Sequence, residues 1–150
     1  MAFHFKFQKL LEVEKFREEE LVKKLSVVQR QLQEEKKLLG FLQSVLLTRQ
    51  VEMGKKLCAQ TQIEVFILFE AYFSKLNRDI SVQGLKVKEA AKQVELVREN
   101  LLTVFKKRKV LEKLRERHER EYKEQMLKME NKRFEEIAVS RFFRKKNANH

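Results

Sequence analysis

Three histidines, one cysteine and 22 carboxylates are the side chains through which this sequence could do acid–base, nucleophilic or metal chemistry. His4, His118 and His150 are scattered along the chain, and none has a cysteine or serine at workable spacing. Cys58 has no second thiol with which to form an internal disulfide or complete a zinc site. The sequence holds no HExxH, no Gly-rich phosphate loop and no GxSxG. Its carboxylates alternate with Lys and Arg, as on solvated faces where ion pairing is their ordinary use. The expectation is a protein that is not an enzyme, with no metal or cofactor site. Recognition is better provided for. Leu111, Leu114, His118, Tyr122, Met126 and Met129 form a narrow apolar stripe in a highly charged stretch. Val65, Phe69, Tyr72 and Leu76 recur at helical spacing in the most apolar stretch, residues 63–76.

Long helices must position these side chains. The 150 residues are 43% apolar and 37% charged, with no proline and three glycines, so the supply of turn-forming residues is too small for a fold of many short elements. Twelve phenylalanines need burial, which disfavours disorder. Stepping by seven from Leu11 gives Glu18, Leu25, Leu32, Leu39, Leu46 and Met53, with Phe7, Leu21, Val28 and Leu42 on the companion track. Glu14, Glu35 and Arg49 are polar exceptions on that track. A seam sustained over this many heptads is a coiled-coil signal. A second line runs Phe66, Phe73, Ile80, Val87, Val94 and Leu101, with Ala91 and Phe105 as companions.

Each step of seven along one line matches a step back along the other. Met53 pairs with Phe66, Leu46 with Phe73, Leu39 with Ile80, Leu32 with Val87 and Leu25 with Val94. Such a constant sum of residue numbers is what an antiparallel hairpin requires. The fold expected is all-α: a long antiparallel two-helix coiled-coil hairpin with an overhanging C-terminal helix. It reads as a single hairpin over residues 1–150, with a helix over 5–56, a bend over 57–62, a helix over 63–141 and a frayed tail over 144–150. A rival bend at residues 77–81 has better turn residues and would cut the second line in the middle. Beyond about Lys113 the second helix has no partner on the first. Glu116 with Arg120, Glu119 with Lys123, and Glu124 with Lys128 would support such a free helix. Phe3, Phe5 and Phe7 could continue the first helix or lie extended against a partner.

The stripe of Val65, Phe69, Tyr72 and Leu76 points away from the seam, and Leu38, Phe41 and Val45 lie off the seam of the first helix at the matching height. A contiguous patch of this kind marks an interaction site, a dimer contact joining two hairpins into a four-helix bundle, or the seat of a small third helix. The net charge is +12, concentrated in the second half of the chain. Nucleic-acid binding is disfavoured because Glu112, Glu116, Glu119, Glu121 and Glu124 interrupt the basic stretch that would track phosphates. No run approaches 18 apolar residues and the first residues lack a signal-peptide pattern, so a reducing cytoplasm is the expected compartment.

Several segments together resemble one family. They are Phe-x-Phe-x-Phe followed by Gln-Lys-Leu-Leu over residues 3–11, and Tyr72-Phe73-x-x-Leu76-x-x-x-Ile80 past the bend. Arg108-Lys-x-Leu-Glu-Lys-Leu-x-Glu-Arg follows, and Glu135-Glu136-Ile-Ala-x-x-Arg141-Phe142 closes the set. Their order and spacing over residues 3–143 resemble the flagellar FliJ family. The resemblance implies a cytoplasmic component of the flagellar type III export machinery, held at the inner face of the cell membrane through its partners. It implies a hairpin similar to the gamma stalk of rotary ATPases, with the end bearing both termini in the central hole of the hexameric export ATPase FliI. The region toward the bend would contact the cytoplasmic domain of the export gate protein FlhA, and export chaperones would be further partners. On this chain the ring contact would fall on Leu111, Leu114, Arg115, His118, Tyr122, Met126 and Met129. The gate contact would fall on Leu38, Leu42, Val45, Phe69, Tyr72 and Leu76, with Asp79 and Gln83 at its edge. The equivalent stalk protein of a virulence-type secretion system and a structural coiled-coil dimer are the alternatives.

Overall fold

Leu, Lys, Glu and Gln dominate a chain without proline, and each favours helix. The computed structural model describes residues 2–58 and 62–149. Two helices make up almost all of it: α1, Gln8–Cys58, and α2, Ile63–Ala148. No strand occurs among the described residues. Together the helices form the antiparallel hairpin that the facing heptad lines require.

The helix ends are held by modest chemistry. The first turn of α1 carries no acidic residue, and its backbone is tied to the preceding segment by Gln8 N–H donating to the Phe5 carbonyl at 3.2 Å and Leu11 N–H to the Phe7 carbonyl at 3.0 Å. Its last turn carries Lys55 and Lys56, whose charges oppose the negative end of the helix dipole. At the start of α2 the Gln62 carbonyl accepts from the N–H groups of Val65 and Phe66, and Glu64 lies in the first turn. α1 thus begins at residue 8 rather than 5, because the alternating Phe3 and Phe5 leave the helical path. α2 continues to Ala148, beyond the expected end at 141 and through the stretch expected to fray. The segment from residue 141 on holds neither Gly nor Pro, and Lys145 and Lys146 compensate the dipole at the end of the helix. Residues 77–81, the rival bend, are helical throughout. The expected bend over 57–62 falls mostly on residues 59–61, which lie outside the described residues.

The chain divides into two compact units, each drawing on both helices. The first is Glu18–Thr103. Its core is Val28 with Val94 and Val97, against which Leu25 and Leu32 pack. On the α1 side the shielded positions are the expected ones, among them Leu21, Leu25, Val28, Leu32, Leu39, Leu42 and Leu46. On the α2 side the line Phe73, Ile80, Val87, Val94 and Leu101 is shielded as expected, but its companion track is Leu76, Gln83, Ala90 and Val97. That track lies three residues after each member of the line, whereas Ala91 and Phe105 lie four after. The true track includes a polar residue with a polar partner. The Gln83 side-chain amide donates to the Glu35 backbone carbonyl at 3.0 Å and also to the Glu35 carboxylate. Phe66, expected in the seam, is 40% exposed.

The second unit joins Met1–Arg17 to Val104–His150. Among its described residues Leu11 is fully buried, and Phe5 and Glu14 are buried as well. The expected absence of a partner on α1 beyond Lys113 does not leave α2 bare at once, because the segment preceding α1 covers its next turns. Phe5 meets His118 edge-on at 5.8 Å between ring centroids, and Phe3 meets Tyr122 at 5.6 Å. The reason is a difference in rise. Two residues of extended chain advance about 6.6 Å, and the four helical residues from His118 to Tyr122 advance about 6 Å. A short non-helical strap therefore covers more of α2 than the same number of helical residues would.

Candidate functional site

The patch toward the bend lies within the unit Glu18–Thr103. Leu38 and Tyr72 are exposed, and Leu42, Val45 and Phe69 are half-buried, Leu42 in the seam itself. Leu76 does not belong to that surface. It is only 6% exposed, because it occupies the companion track that faces α1. Gln83, expected at the patch edge, is buried in the same track, while Asp79 is exposed. Tyr72, Phe69 and Phe73 form a run of ring contacts, with Phe69 and Phe73 stacked at 6.0 Å and Tyr72 tilted against Phe73 at 6.2 Å.

Beside these rings is an open groove of about 330 Å³ between the helices, lined by Arg49, Glu52, Lys56, Val65, Leu68, Phe69 and Tyr72. Lys56 places its ammonium 5.0 Å from the centroid of Phe69, a cation–π contact that leaves an apolar floor beneath a charged rim. Arg49 donates to the Glu52 carboxylate at 2.8 Å. That hydrogen bond first, and one to the Tyr72 oxygen second, raise the guanidinium above its already high range. Arg49 thus links α1 to the aromatic face of α2 from a position that hydropathy marks only as a polar break in the seam. Pairing Arg49 with its facing residue places it on the same turn as Tyr72, so the link has a sequence signal. Lys56 and Glu52 had none beyond proximity to the bend.

The terminal stripe lies within the other unit. Leu111, Leu114, His118, Tyr122 and Met126 are half-buried rather than open, with Phe5 packed on His118 and Phe3 on Tyr122. Arg115 and Met129 are exposed. The strap had a sequence signal in the period-two alternation of Phe3, His4, Phe5 and Lys6, which is the pattern of extended chain with one face covered. His4 is exposed between the half-buried Phe3 and the buried Phe5, and Lys6 is exposed beyond Phe5.

Several charges along this unit are paired within one turn. Arg108 donates to Glu112 at 2.6 Å, with Lys109 at 3.9 Å from the same carboxylate. The Arg108 hydrogen bond holds the Glu112 carboxyl below the usual carboxylate range, and the charges of Lys109 and Lys15 act in the same direction. Arg117 with Glu121 and Lys123 with Glu119 form further pairs at 3.1 and 3.7 Å. Glu14 is only 4% exposed; one of its oxygens receives Arg17 at 3.3 Å, while the other has no hydrogen-bond partner. Phe105 carries Arg108 and Lys109 over its ring at 5.2 and 5.5 Å.

Among the described residues no three His, Cys, Asp or Glu side chains cluster as a metal site, and Cys58 is a free, exposed thiol. The described helices include none long and apolar enough to cross a membrane. Both surfaces set aromatic and aliphatic side chains beside ion-paired charges.

The family model described as flagellar FliJ protein matches residues 3–147. No curated protein and no solved structure matches the chain.

Proposed function

Because the chain belongs to the flagellar FliJ family, a family of flagellar biogenesis and protein export, we propose that it is a stalk-like coupler of the export apparatus. In this reading the end bearing both termini enters the hexameric export ATPase FliI and promotes its assembly and activity. The patch toward the bend engages the cytoplasmic domain of FlhA, and export chaperones are handled on the same chain. It works in the cytoplasm at the inner face of the membrane. The observation that carries this reading is a family match spanning nearly the whole length of an antiparallel hairpin. The energy for transport would come from its partners, and its own contribution would be contact and timing.

The half-burial of His118 and Tyr122 under the strap moves the proposed ring contact toward the exposed Arg115 and Met129. At the other end it rests on Leu38, Val45, Phe69 and Tyr72, with Leu76 acting only by supporting them. Exposed Ile63, Ile67 and Leu68 extend the apolar surface there, and a dimer through that surface is the competing use of it.

The test is ATP hydrolysis by FliI with and without this protein, with hexamer formation followed by light scattering. Stimulation with ring formation is expected, and Arg115→Glu with Met129→Ser should reduce it while the helical circular dichroism stays unchanged. No effect on either signal removes the ATPase from the account. Sedimentation of the protein alone separates the dimer, since a monomer near 18.2 kDa excludes it.

A further inference from the structure

The N-terminal strap shows what kind of chain the terminal face of α2 accepts. Residues 2–5 lie outside the helix, with Phe3 set on Tyr122 and Phe5 on His118 at 5.6 and 5.8 Å between ring centroids. The spacings match because two extended residues and four helical residues advance nearly the same distance, about 6.6 and 6 Å. His4, between the two phenylalanines, is exposed, as is Lys6 after them. The face of α2 therefore reads alternate residues of an extended segment, ring against ring, and leaves the intervening ones to solvent. The strap is modestly rooted. The first turn of α1 has no acidic residue, its Gln8 and Leu11 amides bond back to the Phe5 and Phe7 carbonyls, and Phe7 is itself exposed. A segment seated by two rings can be exchanged for another that presents the same two.

We propose that the α2 face bearing His118 and Tyr122 is a docking surface for an extended segment of the ATPase ring with aromatic side chains two residues apart, and that the chain's own Phe3 and Phe5 occupy it until that segment displaces them. This rests on the reading that the end bearing both termini meets the ring. The strap itself argues for the occupant's chemistry, because an extended aromatic segment is what the face already holds, and exchange for a similar one requires no rearrangement of α2. Arg115 and Met129 are exposed with the strap in place and give the ring its first hold. Full engagement then waits on strap release. Since only chains with the strap open present the face, the apparent affinity for the ring is reduced by the open fraction. Ring entry and release of the chain's first residues become one coupled event.

The experiment uses the full chain with Phe3→Ala and Phe5→Ala together, and as probe a synthetic peptide of residues 2–9 with blocked ends. The ring resonances of His118 and Tyr122 should shift in the double variant and return toward their wild-type positions as peptide is added. Burial and ring pairing keep the strap closed by about a hundredfold, and its tether supplies an effective concentration of about 1 mM. Half-saturation by the peptide is therefore expected at about 10 µM, where wild type should not respond. A peptide with both phenylalanines replaced by alanine should not bind. The double variant should stimulate FliI at a concentration lower than wild type by up to about a hundredfold, and the peptide should raise that concentration again. Circular dichroism and unchanged amide protection near Val28 and Val94 confirm that the variant is folded. The proposal is overturned if the rings of the double variant ignore the peptide, or if the variant stimulates FliI only at the wild-type concentration or above. It also fails if wild type sediments as a dimer that the double variant loses, since the face then belongs to a second copy's strap. If the peptide binds and neither chain stimulates FliI, the ring reading is what fails, and the ring segment falls with it as the occupant.

Discussion

Replacing Phe5 by Ala should release the strap from α2 without unfolding the hairpin. Phe5 is 6% exposed, packs edge-on against His118 at 5.8 Å and meets Phe7 at 5.9 Å. Burial of a phenylalanine side chain stabilises by about 1.5–3 kcal/mol, and an aromatic pair adds about 0.5–1.5 kcal/mol. The local cost is therefore about 3 kcal/mol. It falls on a helix start that has no acidic first-turn residue, and where the Gln8 and Leu11 amides bond back to the carbonyls of Phe5 and Phe7. Hydrogen exchange read residue by residue is the assay. At about 1.4 kcal/mol per factor of ten, the Gln8 and Leu11 amides should exchange roughly a hundredfold faster in Phe5→Ala. Amides near Val28 and Val94, in the other unit, should keep their protection. The His118 ring resonances should shift, since an aromatic neighbour has been removed. If Gln8 and Leu11 exchange at the wild-type rate and the His118 ring is unmoved, the strap contributes nothing and the account of the terminal unit is wrong.

Two further outcomes follow from the polar groups. Gln83→Leu removes the donor to both oxygens of Glu35 and should cost about 1–3 kcal/mol in urea unfolding, because a shielded acceptor is left unsatisfied; adding Glu35→Leu should recover most of it, and a double variant as unstable as the single would count against the pair. Glu112→Gln should lower stability at pH 7 by about 0.3 kcal/mol, the size of a partly exposed i,i+4 pair. Because the folded-state pKa of Glu112 lies below its unfolded value, this contribution is full above the ordinary carboxylate range and disappears as pH falls through the depressed value. The melting temperatures of variant and wild type should then converge at low pH, and a difference that grows with acid would contradict the assignment.

Most of the hairpin was legible because period and pairing constrain each other. The α1 line from Leu11 to Met53, Glu18 apart, and the α2 line from Phe73 to Leu101 are each apolar at intervals of seven, and an antiparallel pairing keeps both in step. The companion track of α2 was not legible from hydropathy. Gln83 is polar and Ala90 small, so the track appears weaker than the one bearing Ala91 and Phe105. Phe105 tolerates partial exposure beneath Arg108 and Lys109, whose charges sit over its ring. The misplaced track also explains Leu76. One step around the helix turns an outward residue inward, and a candidate contact residue became a seam residue. The strap was only half legible for a different reason: the heptads reach back to residue 5 while the alternation of Phe3 and Phe5 is that of extended chain, and the two signals compete.

The polar positions of the seam indicate what kind of coiled coil this is. A seam of leucine and valine alone is free to slide by a heptad, because each step exchanges one apolar contact for a similar one. Gln83 can satisfy its amide only where Glu35 presents both a carbonyl and a carboxylate, and a one-heptad slip separates them by about 10 Å at 1.5 Å per residue. The slip would leave both groups shielded without partners. Arg49 acts similarly nearer the bend, since its links to Glu52 and Tyr72 fix the aromatic face of α2 against α1. The patch proposed for the gate contact is built from residues of both helices, Leu38 and Val45 on one and Phe69 and Tyr72 on the other. Its geometry therefore exists only in one register. Two polar contacts that add little to net stability determine whether that composite surface is presented at all, and Glu35 and Gln83 are the positions at which to test for its loss without touching it.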